Sequence, residues 1–133
     1  MGNIDLAPTI AELASATPTV DVDGQSLVGL ARNPAATTDR ALLLESLARD
    51  PSTDHGGRYA AVRSGHFLYV EYDTGEKELY NLVRDPDELR SVAGDPRYAA
   101  KQRALATALG ELRDCRGQSC DVSVRPAREG AAG

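Results

Sequence analysis

The sequence predicts an α+β fold: a small antiparallel sheet of about four strands in a meander, packed with a long C-terminal helix and preceded by an N-terminal helix. Three observations carry this. RYAAVRS (58–64), HFLYVEYD (66–73) and EKELYNL (76–82) are short runs rich in β-formers, joined by tight turns that contain Gly65 and Gly75. Asp95-Pro96 then opens a helical pattern that runs to about Asp114, with the Asp as cap and the Pro in the first turn. NIDLAPTIAELASA, near the start, has the same period.

In chain order, Asn3 or Asp5 can cap the first helix, Pro8 sits in its first turn, and Leu6, Ile10 and Leu13 fall on one face. TPTVDVDGQSLVGLARNPAATT is loop-rich, with one short helical turn expected near Gln25–Leu30. RALLLESLA (40–48) is apolar and short, so its pattern fits strand or helix equally. On the middle strand Phe67, Tyr69 and Glu71 share one face and Leu68, Val70 and Tyr72 the other. Both faces are largely apolar, so the sheet is expected to be covered on both sides, at least in part. The last helix carries Tyr98, Lys101, Leu105, Ala108, Leu109 and Leu112 as a stripe broken only by the lysine. The tail from Asp121 is small and polar and is expected to be disordered.

The chain has 133 residues, which suits one modest core, and with no Trp and one Phe that core must rest on Leu, Val and Ala. A net charge of -5 disfavours nucleic acid as a partner. No apolar run reaches the roughly 18 residues a membrane span needs. MGNIDLAPTIAEL lacks the basic and apolar regions of a secretory signal, and Leu6 stands where myristoylation wants Ser or Thr. The compartment is left open.

Motifs for familiar chemistries are absent. The phosphate-cradling glycine loop is missing, and the run from Gly24 through Ser26 has Val28 where a nucleophile elbow needs Gly. Asp21-Val22-Asp23-Gly24 starts like a calcium loop, but its Gly comes fourth rather than sixth, so a simple turn is the reading. Asp85, Asp87 and Glu88 could suggest paired carboxylates, yet Asp85-Pro86 repeats the helix-starting device of Asp95-Pro96 and is read as structural punctuation. His55, in a polar Gly-rich loop, and His66, opening a strand, have no local nucleophile beside them. Cys115 and Cys120 frame CRGQSC, a spacing open to a disulfide, to free thiols or to half of a zinc site.

Taken together, NIDLAPTIAELASA…PTVDVDGQSL resembles the closing segment of the sulfatase catalytic domain, where an Asp-Leu-Ala-Pro-Thr helix precedes an Asp-Gly-x-Ser-Leu turn. RYAAVRSGHFLYVEYDTGEKELYNLVRDPDELRSVAGDP is similar to the sulfatase C-terminal subdomain, and the final Cys-x-Gly-x-x-Cys to the ending of enzymes of the N-acetylglucosamine-6-sulfatase kind. The departures are Leu68 for the usual Lys, Asn81 for Asp, and Ser91-Val92 for Asn-Leu. The resemblance implies residues 1–36 as the end of a catalytic domain, 37–121 as the C-terminal α+β subdomain, and 122–133 as a disordered tail.

Sulfatases use a formylglycine made in a Cys/Ser-x-Pro-x-Arg motif, beside calcium. That motif does not occur here; in Ser123-Val124-Arg125-Pro126-Ala127-Arg128 the proline comes one position late. The resemblance therefore implies no catalytic residue, metal ligand or cofactor in this chain, and no sulfatase activity from it alone. It also implies that the polar loop Asp50–Arg58 reaches the substrate pocket of the intact enzyme, with His55 and Arg58 as candidate pocket residues and a sulfated small molecule or glycan as ligand. The family is often exported, which favours a Cys115–Cys120 disulfide. The expected partner is the missing catalytic domain or, through the exposed sheet face, a second copy. The other reading is a standalone, non-enzymatic binding module on the same scaffold.

Overall fold

The computed structural model describes residues 2–33, 35–36, 38–46 and 58–124. The elements follow in the order α1 (Leu6–Leu13), α2 (Val28–Arg32), β1 (Leu42–Ser46), β2 (Tyr59–Ser64), β3 (Phe67–Tyr72), β4 (Lys77–Asn81) and α3 (Ala99–Arg113). The fold is α+β, with one four-stranded antiparallel sheet in the order β1-β2-β3-β4. The ambiguous run at 40–48 is a strand, because β1 pairs with β2 from Leu42↔Arg63 to Ser46↔Tyr59. Periodicity could not make that choice; the free edge of the β2–β3 hairpin does.

The turns follow their glycines. Gly65 (φ 56°) closes β2–β3 and Gly75 (φ 90°) closes β3–β4, in the left-handed region that L side chains avoid. Register then puts Leu43, Val62, Tyr69 and Leu79 side by side on the inner face. On this face lies α3, whose Leu105, Ala108, Leu109 and Leu112 recur at helical spacing and are buried in one cluster with Val62, Tyr69 and Leu79. The lysine in the stripe has its own reason: Lys101 Nζ stands 5.3 Å from the centre of the Phe67 ring. Tyr98 meets the same ring edge-on. Asp95 caps as expected, accepting from the Arg97 amide at 2.9 Å, with Pro96 opening a 3-10 turn that leads into α3.

Three expectations are corrected. The Asp85-Pro86 device does not start a helical turn. Asp85 instead accepts from the amides of Leu89 (3.1 Å) and Arg90 (2.8 Å), and Glu88 adopts φ 56°, so the Asp85 carboxylate closes a loop. Asp5 does not cap α1 with its side chain, which turns away to the Gln25 amide and Arg40. The tail does not begin at residue 122. Val122 and Val124 are buried, the Ala41 amide donates to the Val122 carbonyl at 2.7 Å, and Arg40 bridges Ser123. Two valines at alternate positions give this segment an inner face, which its polar composition concealed.

Two surfaces keep apolar groups in water. Leu6, Ile10 and Leu13 of α1 are 54%, 64% and 69% exposed, and no residue of α1 is buried. On the outer sheet face, opposite α3, Ala61, Val70 and Tyr80 are buried and Leu42, Leu68 and Tyr72 half-buried, so that face is covered in part, while Leu44 there is exposed. Among the described residues no helix is long and apolar enough to cross a membrane.

Candidate functional site

His55 lies outside the described residues. Arg58 stands just before β2, exposed, with its carbonyl accepting from the Asp73 amide at 2.9 Å. It lines a shallow hollow of about 330 Å³ at one end of the sheet, together with Glu45, Ser46, Tyr59, Glu71 and Arg113. Charges of both signs meet there. Glu71 accepts from the Tyr69 hydroxyl at 2.7 Å and pairs with Lys77 (3.3 Å) and Arg113 (3.4 Å). Burial alone would raise its carboxyl, but the Tyr69 and Lys77 hydrogen bonds and the two cations outweigh it and hold the group below its ordinary value. Burial, then the Glu71 acceptor, pushes the Tyr69 hydroxyl well up. Glu71 is thus a committed carboxylate, unsuited to donate a proton near neutral pH.

The two motifs near the N-terminus meet in a second polar node. Asp5 is 1% exposed and accepts from the Gly2 amide (2.8 Å), the Gln25 amide (3.0 Å) and Arg40 Nη1 (2.6 Å). Thr9 Oγ1 donates to the Asp5 carbonyl and accepts from the Leu27 amide at 2.9 Å. Arg40 Nη2 donates to the Asp23 carbonyl at 2.9 Å. Asp-Leu-Ala-Pro-Thr and Asp-Gly-Gln-Ser-Leu are therefore two halves of one hydrogen-bonded joint, clamped to the sheet by Arg40. Gly24 is needed in it, since a Cβ there would lie 1.9 Å from the Ile4 carbonyl oxygen. Burial acts most strongly on Asp5 and would raise it, but the Gly2 and Gln25 amides and Arg40 together hold its carboxyl below the usual range. Sequence reasoning missed this joint because Arg40 reads as the polar start of an apolar run; an Asp and an Arg that share no element carry no local signal.

Cys115 and Cys120 are joined by a disulfide, and the Gly117 amide inside its loop donates to Asp23 Oδ1 at 2.6 Å. Asp21 and Asp23 hold no cation loop together: among the described residues no three His, Cys, Asp or Glu side chains converge to hold a metal. The carboxylates of Asp85, Asp95 and Asp5 instead close a loop, cap a helix and pair with arginine.

Similarity to known proteins extends over the joint, the sheet and the helix. The family described as N-sulphoglucosamine sulphohydrolase, C-terminal, matches residues 1–115. An N-acetylglucosamine-6-O-sulfatase of Bacteroides thetaiotaomicron is 28% identical over 115 residues, 84% of this chain and 21% of that protein. A choline-sulfatase of Rhizobium meliloti is 32% identical over 117 residues, again 84% of this chain and 21% of the relative. A solved structure in complex with its substrate, D-glucosamine-2-N,6-O-disulfate, superimposes with a TM-score of 0.70 at 28% identity, covering 82% of this chain and 23% of that one. The chain spans about a fifth of the length of these curated relatives. It belongs to the N-sulphoglucosamine sulphohydrolase C-terminal family, the C-terminal region of sulfatases.

Proposed function

We propose that this chain acts as the C-terminal subdomain of a sulfuric ester hydrolase, docking on a formylglycine-bearing catalytic domain and forming one wall of its substrate pocket. The observation that carries the reading is the family match over residues 1–115, in a sequence without Cys/Ser-x-Pro-x-Arg. The apolar stripe of α1 and the outer sheet face supply the docking surface, since burying such groups is worth about 25 cal/mol per Å². Arg58, at the mouth of the β1–β2 connection, supplies a planar cation suited to a sulfate or a sugar carboxylate. The substrate class is a sulfate ester, a sugar or a small alcohol being equally compatible with the relatives. Alone, the chain hydrolyses nothing, because no residue forms the aldehyde nucleophile.

The test is an assay of the purified chain on a chromogenic aryl sulfate with calcium, alone and mixed with a sulfatase catalytic domain lacking its own C-terminal region. No turnover alone and restored turnover on mixing are expected. Turnover by the chain alone, surviving repurification, would overturn the reading. Absence of any complex with the catalytic domain would favour a standalone binding module. Sedimentation at two concentrations shows whether a second copy covers the same apolar surfaces instead.

A further inference from the structure

We propose that the Cys115–Cys120 disulfide is a redox-operated latch that holds the Val122–Val124 segment against the Arg40–Ala41 lead into the sheet. The bond closes a short loop directly after α3 and immediately before that segment. Cys120, Val122 and Val124 are all buried, while Cys115 is only half-buried. Among the described residues the segment is fastened by few other bonds. Ala41 donates to the Val122 carbonyl at 2.7 Å, and Arg40 bridges Ser123. The same loop reaches the polar joint, since Gly117 donates to Asp23, whose carbonyl takes Arg40 Nη2. The covalent bond therefore ties the end of α3 to residue 120, and hydrogen bonds link its loop to the Asp-Gly turn and the segment after it to the entry to β1.

Reduction by a dithiol is balanced. One thiolate attacks Sγ of Cys115, the more accessible sulfur, and the S–S bond breaks with Cys120 leaving as thiolate. The second thiol of the reductant then closes on its own partner sulfur and frees Cys115. The reductant ends as a cyclic disulfide, and two protons reside on the cysteines. Residue 120 is then no longer tied to residue 115. The entropy of the freed loop favours the detached segment, which uncovers Ala41 and the Leu112 end of the core. In an oxidising medium the latch is closed; in a thiol-rich one it opens while the sheet stays folded.

Hydrogen exchange resolved by residue tests this on the purified full chain, oxidised, reduced with dithiothreitol, and reoxidised. Loop-closure entropy for about six residues predicts that the Ala41 amide exchanges roughly 40-fold faster on reduction. Amides of the β2–β3 ladder should change little, and reoxidation should restore protection. The double variant Cys115→Ala/Cys120→Ala should behave like the reduced chain. A change at Ala41 below about 3-fold, or an equal acceleration across the β2–β3 ladder, would overturn the proposal. So would two titratable thiols in the protein purified without reductant.

Discussion

Replacing Asp5 by Ala is the sharpest perturbation this structure offers. The carboxylate is 1% exposed and Arg40 9%, so neither charge reaches water once its partner is gone. In the variant the Arg40 guanidinium keeps, among the described residues, the Asp23 carbonyl at 2.9 Å, and its Nε has no partner there. The Gln25 amide also loses its acceptor. Breaking one side of a buried pair costs about 3–5 kcal/mol, and an orphaned buried amide adds about 1–3 kcal/mol where water cannot enter. Since relaxation recovers part of this, about 4 kcal/mol is expected, a large share of the roughly 5–15 kcal/mol that holds a domain folded. With a urea slope of about 1.5 kcal/mol per molar, the midpoint should fall by roughly 2–3 M. Asp5→Asn should cost about half as much, since it keeps an acceptor and the shape. The double variant Asp5→Leu/Arg40→Met, which removes both charges, should regain much of the loss. Urea unfolding followed by circular dichroism at pH 7 measures all of these. Asp5→Ala costing under about 1 kcal/mol, or single costs that simply add in the double variant, would refute the claim that this joint clamps the N-terminal segment to the sheet.

The same joint carries two further predictions. Asp5 has a folded-state pKa below its unfolded value, so its contribution is present above about pH 4 and is lost as pH falls through the folded value. Stability at pH 3 relative to pH 6 should therefore drop more for the parent chain than for Asp5→Asn, and parallel profiles would count against it. Gly24→Ala forces a Cβ into the Ile4 carbonyl oxygen, a backbone atom that can move only with the 3-10 turn leading into α1. It should lower stability by about 2 kcal/mol or more and accelerate exchange of the Gln25 and Leu27 amides, and a neutral outcome in thermal unfolding would show that the contact yields cheaply.

Legibility differs sharply between parts of the chain. The β2–β3–β4 meander and α3 are readable because their signals are local. Gly65 and Gly75 supply the left-handed turns, Asp95 and Pro96 supply the helix start, and the stripe from Leu105 to Leu112 supplies the buried face. Asp85 reads as a cap because the Asp-Pro pair looks the same in both places. The two pairs differ in the conformation of the residues after the proline. Beyond Pro86, Glu88 takes φ 56° and the Asp85 carboxylate reaches the Leu89 and Arg90 amides. Beside the hollow at the end of the sheet, Arg58 is legible only as an arginine in a polar stretch. Its neighbours Glu71 and Arg113 come from β3 and α3, and their charges make the hollow mixed rather than cationic.

The sequence by itself determined the fold class and the β2-β3-β4 order, since a residue's turn preference, helix period and strand alternation depend on neighbours a few positions away, and its motifs carried the family resemblance. Only the tertiary structure decided three things. The apolar run at 40–48 became a strand because β2 offered an edge. Asp5 left its helix for Arg40, 35 positions on. Val122 and Val124 closed the core beside Ala41. In each case the free energy comes from burying a group against a partner distant in sequence, and no local pattern encodes which partner will be there.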